Sequence, residues 1–139
     1  MKPPDEIKKD FTRLWLVKAE HDLRTAVHLS SSGMDFADSI VFHAQQAVEK
    51  YIKAYLVWEQ IEFPKTHDIA ALLNLVGHNR GELAQALADA SDLTPYGVTH
   101  RYPGDYPQVE QNDVEKAVSV AEHVRREIRD NLPAEVQTE

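Results

Sequence analysis

The sequence predicts an all-α fold, an antiparallel up-and-down bundle of four or five helices, three of them long and two short. Glycine and proline are absent from residues 5–32 and again from residues 34–63, and both stretches are rich in helix-forming residues. Apolar residues recur every three or four positions, and no segment alternates as a half-buried strand does. We expect a single bundle domain over residues 5–131 and a flexible tail over residues 132–139.

The first two helices are predicted from apolar stripes with helical spacing. The stripe of the first helix is Phe11, Trp15, Ala19, Leu23, Ala26 and Leu29. Gly33 is expected to end this helix in the left-handed conformation, and Asp35 to cap the next one. The second helix, about 24 residues long, is apolar over a wide arc. It should therefore be central in the bundle or lie at a subunit interface, and we expect a homodimer.

The rest of the chain predicts two short helices, a loop and a long final helix. Thr66 or Asp68 would cap a helix that Gly77 ends, and residues 82–90 would form another. Residues 92–111 hold three prolines, two glycines and three tyrosines, and this composition predicts a functional loop. The final helix is expected over residues 112–131.

Composition excludes several classes of function. The net charge is −8, which disfavours DNA, long RNA and anionic membrane as partners. Cysteine is absent, which excludes thiol catalysis and Cys-type zinc sites, and no signal peptide is recognisable at the start of the chain. His21 and His28 are seven residues apart, whereas a helical zinc pair is four apart. We expect a cytoplasmic protein with no metal and no cofactor.

The second helix carries polar residues that could bind a phosphorylated ligand. Four of them share one stripe: His43, Gln46, Lys50 and Lys53. Gln45 and Glu49 form a second, shorter pair. Lysines one turn apart could hold phosphate oxygens, while Gln46 could read a base or a ribose by hydrogen bonding. The alternative is an ordinary solvated helix face.

Two connecting segments are further candidates. Backbone N–H groups at the start of the third helix could bind an anion together with Lys65 and His67, or the segment could be only a capping turn. In the predicted loop, Arg101 could grip a phosphate or carboxylate, and Tyr102 could stack on a base. Alternatively, Arg101 ties this loop to a helix carboxylate.

Four motifs, taken in order, resemble the HEPN (higher eukaryotes and prokaryotes nucleotide-binding) domain family over about residues 10–130. The motifs run Trp15-x3-Ala19-x2-Asp22-Leu23-x2-Ala26, then Ala44-Gln45-Gln46-Ala47-x-Glu49-Lys50-x2-Lys53-Ala54, then Pro64-Lys65-Thr66-His67-Asp68, then Arg101-Tyr102-Pro103. The resemblance implies a helical bundle like the substrate-binding part of kanamycin nucleotidyltransferase. It also implies nucleotide binding or action beside a minimal nucleotidyltransferase, often as a toxin–antitoxin pair.

Some HEPN proteins are metal-independent ribonucleases whose motif is Arg, four to six residues, then His. That motif is absent here, because Arg24 and His28 have three residues between them and Arg13 and His21 have seven. The sequence therefore favours a homodimeric, non-catalytic binding module for a nucleotide such as ATP or GTP, or for a nucleotidyltransferase partner. A ribonuclease toxin and a scaffold whose polar residues only hold the loop remain as alternatives.

The predicted ligand-binding residues come from the second helix and from the segments around it. They are Asp22, Gln46, Glu49, Lys53, Lys65, His67, Arg101 and Tyr102. Lys53, Lys65 and Arg101 would meet phosphates, and Asp22 or Glu49 would orient Arg101.

Overall fold

The computed structural model describes residues 4–97 and 108–137, and within those ranges it contains helices and connections but no strand. The α-helices are α1 (Pro4–Ser30), α2 (Ala37–Trp58), α3 (Ile69–Asn79), α4 (Gly81–Ala86) and α5 (Gln111–Asp130). Shorter 3₁₀ helices span Gly33–Phe36, Ala88–Gly97 and Ala134–Val136. The predicted all-α bundle, with three long and two short α-helices, is confirmed. No described helix is long and apolar enough to span a bilayer.

Helix α2 forms the centre of the bundle. It runs antiparallel to α1, so that Lys8 lies over the Trp58 ring while Glu20 bonds to Tyr51 near the middle of both helices. Helices α3 and α5 and the 88–97 helix pack around it as well, and most of its 22 residues are buried. The wide apolar arc is thus covered by the same chain, so the feature from which a homodimer was predicted has an explanation within one chain.

Several predicted boundaries were wrong by a few residues. Asp35 does not cap α2, because the 3₁₀ turn Gly33–Phe36 runs directly into that helix and leaves Phe36 at the cap position. Gly77 does not end α3, which continues to Asn79, since a glycine within a helix is only weakly unfavourable. Gly33 does have the expected left-handed backbone, with a φ of 84°.

The boundary between helix and loop differs from the prediction after residue 81. We expected a helix over residues 82–90 and then a loop. Helix α4 ends at Ala86, and a 3₁₀ helix then covers Ala88–Gly97, so the first part of the expected loop is helical. Pro95 is compatible with this helix, whose side chains Ala90 and Leu93 are buried in the core. Arg101 and Tyr102 lie outside the described residues.

The apolar stripes position the outer helices, with one exception. Ala19, Leu23 and Ala26 of α1 are buried as expected, whereas Phe11 is 54% exposed and Leu16 takes its place in the core. At the other end of the chain, Leu132 and Val136 are buried, and the 134–136 turn packs against α1.

Glu20 joins three helices. Its Oε1 accepts hydrogen bonds from Tyr51 of α2 at 2.7 Å and from Arg125 and Arg129 of α5 at 2.7 and 3.0 Å. Partial burial raises the pKa of the Glu20 carboxyl, but the hydrogen bonds from Tyr51 and the two arginines outweigh burial and hold this pKa below its ordinary value. Burial and the Glu20 carboxylate together raise the pKa of the Tyr51 phenol.

We predict that Glu20→Gln lowers the free energy of unfolding at pH 7 by about 1–3 kcal/mol, because Tyr51 loses a charge-assisted hydrogen bond and the two arginines lose their opposite charge. Because the pKa of the Glu20 carboxyl is lower in the folded chain than in the unfolded chain, its ionised form stabilises the fold. This stabilisation is complete above the pKa of the unfolded chain and is lost as the pH falls through the pKa of the folded chain. The difference between variant and wild type should therefore shrink below pH 4.5. Urea unfolding across this range measures it, with exposed Glu122→Gln as the matched control. A pH-independent difference would contradict the prediction.

Candidate functional site

Two buried carboxylates, one on α1 and one on α2, each bind one histidine and one lysine. Asp22 of α1 accepts a hydrogen bond from His43 Nδ1 at 2.8 Å and one from Lys50 Nζ at 2.5 Å. Glu49 of α2 is bound in the same way by His67 Nδ1 at 2.8 Å and Lys53 Nζ at 3.3 Å. Two glutamines of α2 complete this α2 polar cluster, which comprises Asp22, His43, Gln45, Gln46, Glu49, Lys50, Lys53 and His67.

Helical spacing on α2 brings the two halves of the cluster together. Gln46 lies one turn from both His43 and Lys50, on the stripe that the sequence predicted. Its amide donates to Gln45 Oε1 at 2.7 Å, and the Gln45 amide donates to Glu49 Oε1 at 3.4 Å. Because the Lys53 side chain is only 9% exposed, and those of His43 and Lys50 are 29% and 21% exposed, the interpretation of this stripe as an ordinary solvated face is wrong.

Lys53 is enclosed by aromatic rings. Its ammonium lies 5.5 Å from the Trp15 ring centroid and 5.8 Å from that of Phe63, and these two rings meet edge to face at 6.3 Å. Its side chain is only 9% exposed, so Glu49 and the two rings replace most of its hydration. These two rings were not among the site residues predicted from the sequence. The available signal was that Trp15 precedes Asp22 by seven residues and so shares its side of α1.

The start of α3 is already capped. Asp68 Oδ1 accepts from Ala70 N at 3.1 Å and Ala71 N at 3.4 Å, while Ile69 N donates to Thr94 Oγ1 at 3.2 Å. The Asp68 carboxylate and the Thr94 hydroxyl of the same chain therefore occupy the N–H groups that could otherwise have bound an anion. The alternative, a capping turn made by Asp68, is confirmed.

Lys65 and His67 lie at the rim of the cluster. Lys65 is exposed and has no hydrogen bond or ion pair with any residue in 4–97 or 108–137. The His67 side chain is 68% exposed even though its Nδ1 is bound to buried Glu49, so the ring is oriented while Nε2 is directed away from the carboxylate. In the described ranges no three His, Asp or Glu side chains converge as a metal site would require.

The structure brings five predicted site residues into one cluster and adds three others. The five are Asp22, Gln46, Glu49, Lys53 and His67. Of the additions, His43 and Lys50 were visible in the spacing of the polar stripe, but the sequence could not show that Asp22 binds both of them. Gln45 was visible in the sequence as a polar pair with Glu49, but its burial was not, since burial of a polar side chain is a tertiary property.

The end of the 88–97 helix lies directly against this cluster. A Cβ atom placed on Gly97 would come within 2.8 Å of the Gln45 side-chain amide. That amide is held on both sides, by Gln46 and by Glu49. Any larger residue at position 97, just before the segment that carries Arg101 and Tyr102, would therefore displace the Gln45 amide from its two hydrogen bonds.

We predict that Gly97→Ala lowers the free energy of unfolding by about 1–3 kcal/mol, because the added methyl overpacks the Gln45 amide. Gly81→Ala is the matched control, since a Cβ there would have no atom within 4 Å. Thermal unfolding of both variants measures the difference. Equal stability of the two variants would contradict the contact between Gly97 and Gln45.

Comparison with known proteins places this geometry in a family. The chain is 28% identical to a protein of Methanocaldococcus jannaschii named "Putative toxin MJ1304", over 88% of both chains. The crystal structure of TT1696 from Thermus thermophilus is similar, with a TM-score of 0.68 and 26% identity, covering 87% of this chain and 98% of that one. The HEPN domain model matches residues 12–131, nearly the whole chain, and the protein therefore belongs to the HEPN domain family.

Proposed function

We propose that this chain is the HEPN member of a toxin–antitoxin-type pair. It acts with a minimal nucleotidyltransferase, and its α2 polar cluster binds the phosphates of an ATP- or GTP-like nucleotide. Similarity to a protein named as a toxin supports the first part. Nucleotide binding rests on one observation: two buried carboxylates each hold an imidazole by Nδ1 together with a lysine ammonium.

The charges of the cluster favour an anion at its rim. Asp22 and Glu49 balance Lys50 and Lys53, so the cluster is neutral while both imidazoles are neutral. Each imidazole that becomes protonated adds one positive charge, and Lys65 adds another. A nucleotide phosphate would balance the positive charge of Lys65 and of a protonated imidazole, and it would accept charge-assisted hydrogen bonds from them.

The exposed part of the cluster supplies the first contacts. In its imidazolium form, His67 would donate Nε2–H to a phosphate oxygen while its Nδ1–H stays bound to Glu49. Lys65 would approach as a flexible cation with no competing partner among the described residues. The half-buried rings of Trp15 and Phe63, next to Lys53, offer apolar surface against which a base would stack.

We predict that Lys65→Ala and His67→Gln each weaken ATP or GTP binding about tenfold, the equivalent of one charge-assisted hydrogen bond. Both side chains are exposed, so the fold should be retained. Isothermal titration calorimetry of the isolated protein gives the affinity, and the rise in melting temperature at millimolar nucleotide gives a second readout.

His78→Ala is the matched control, because His78 is also exposed but lies at the far end of α3. Its nucleotide affinity should equal that of the wild type. The proposal fails if no nucleotide binds, either alone or with the nucleotidyltransferase present. It also fails if His78→Ala weakens binding as much as His67→Gln does.

A metal-independent ribonuclease is the second candidate, and the Glu49–His67 pair favours it. A carboxylate that binds Nδ1 fixes the tautomer of the imidazole and leaves Nε2 available for proton transfer. Here Glu49 is 2% exposed and the His67 side chain is 68% exposed, so a buried carboxylate orients an accessible base. His67 would take the proton of a ribose 2′-hydroxyl while the 2′-oxygen attacks the neighbouring phosphorus. The bond from phosphorus to the 5′-oxygen would break, and the 5′-oxygen would take a proton from a second acid.

This candidate predicts that expression of the chain without its partner arrests growth and that His67→Ala abolishes the arrest. RNA incubated with the purified protein and EDTA should yield fragments ending in a 2′,3′-cyclic phosphate. Glu49→Gln should reduce cleavage less than His67→Ala, because it disturbs only the orientation of the imidazole. Unimpaired growth and intact RNA would leave the binding module as the function.

A further inference from the structure

Helices α1 and α5 run side by side in opposite directions. Arg13 of α1 donates to the Glu135 carbonyl, which lies just after α5. Two turns further along α1, Glu20 accepts from Arg125 and Arg129, which come earlier in the chain than Glu135. Later residues of α1 therefore face earlier residues of α5. We call the line where the two helices meet the α1–α5 seam.

The middle of this seam carries an excess of positive charge. Four of the seven arginines of the chain lie there, although acidic residues outnumber basic ones by 23 to 15 overall. They form an arginine cluster that comprises Arg24, Arg125, Arg126 and Arg129. Along the described edges of the two helices, the carboxylates that accompany this cluster are Glu20 and Glu122, each one turn from a cluster residue. Four guanidinium groups against two carboxylates leave this part of an acidic protein positively charged.

The arginine cluster has N–H donors left for a ligand. Arg125 donates its Nε to Glu20, and its side chain is still 37% exposed. Arg24 and Arg126 are exposed, and neither has a hydrogen bond or an ion pair with any residue in 4–97 or 108–137. A guanidinium group presents five N–H donors in a fixed fork that matches a carboxylate. The cluster can therefore bind further carboxylates, each through a pair of hydrogen bonds.

The seam opens into a cavity beyond the arginine cluster. This seam cavity has a volume of about 300 Å³ and lies between the end of α1, the 3₁₀ turn that follows it and the first half of α5. Its apolar wall consists of Met34, Val114 and Val118. Val118 is seven residues from Arg125 on the same edge of α5, which corresponds to about 10 Å along the helix. The cavity can hold a large apolar side chain of a partner next to the arginines.

We propose that the α1–α5 seam binds an acidic, amphipathic segment of a partner protein. Carboxylates of the segment pair with the arginine cluster, and one large apolar side chain fills the seam cavity. Glu115 and Glu122 line the cavity and repel acidic residues there. The segment therefore binds in one direction, with its apolar residue at the cavity and its carboxylates about two helical turns away.

The same two carboxylates favour a protein segment over a nucleic acid. A protein segment can place an apolar side chain and several carboxylates at different positions of one short stretch. The phosphates of a nucleic acid recur along its whole length, so some of them would meet Glu115 and Glu122.

This surface is separate from the α2 polar cluster. Glu20 and Asp22 are two residues apart on α1, so their side chains leave the helix in nearly opposite directions. Glu20 binds the arginines of α5, whereas Asp22 binds His43 and Lys50 of α2. The inference goes beyond the proposed nucleotide site, and the two sites can be tested separately.

Fluorescence anisotropy with a labelled peptide tests the charged part of the surface. The probe is a synthetic peptide with a phenylalanine followed by a run of glutamates. Arg24→Gln and Arg126→Gln should each weaken its binding about threefold, and the double variant about tenfold, since each change removes a charge that faces a carboxylate. Both side chains lack partners among the described residues, so the melting temperature should stay that of the wild type. Arg80→Gln, at an exposed arginine after α3, is the matched control and should bind as the wild type does.

A second pair of variants tests the seam cavity. Met34→Ser removes part of the apolar wall and should weaken binding of the phenylalanine probe. It should leave unchanged the binding of the same peptide with alanine in place of phenylalanine. Phe36→Ser is the matched control, because Phe36 is exposed to a similar extent, 47% against 40% for Met34, but does not line the cavity.

Three results would overturn the inference. The first is no binding of the probe at millimolar concentration, or equal binding of an analogue with glutamine in place of glutamate. The second is that Arg80→Gln weakens binding as much as Arg24→Gln does. The third is that single-stranded RNA of the same length binds more tightly than the probe and loses affinity in Arg24→Gln, which would make the seam a nucleic-acid surface.

Discussion

Burial of α2 is the constraint on which the rest of this structure depends. With helices packed on nearly all sides of it, any polar side chain that it carries inward must find a partner within the protein. Asp22 and Glu49 meet that requirement for Lys50 and Lys53, and the amides of Gln45 and Gln46 complete the network. Removal of Glu49 would leave the buried ammonium of Lys53 unpaired, which typically costs about 3–5 kcal/mol.

The same requirement determines which groups remain for a ligand. The Lys53 ammonium is paired with Glu49 and lies near the Trp15 and Phe63 rings, so little of this side chain reaches solvent. His67 is different, because one nitrogen serves the buried network while most of the ring stays accessible. A ligand at this site would therefore bind to the exposed residues at the rim of the cluster. A side chain there can exchange its hydrogen-bond partner without leaving a charge buried and unpaired.

The helices could be predicted from the sequence because their signals are local. The apolar period located α1, α2 and α5, and the structure brings Asp22, Glu49 and Lys53 of those helices into the α2 polar cluster. The pairing of Asp22 with His43 and Lys50 joins residues more than twenty positions apart, and no local pattern encodes it. Phe11 shows the converse, since its spacing fits the core stripe while the packing of α1 on α2 leaves it outside.

The overall charge of −8 affects a mononucleotide less than it affects a long RNA. Because the carboxylates and lysines of the α2 polar cluster cancel, the excess negative charge lies elsewhere on the protein surface. Charges more than about 8 Å away are largely screened at physiological salt, so a mononucleotide held at the cluster rim would feel mainly His67 and Lys65. A long RNA extends over the acidic surface and is repelled by it. The field of the whole chain therefore favours a small phosphate-bearing ligand, and RNA would need a basic partner subunit to bind well.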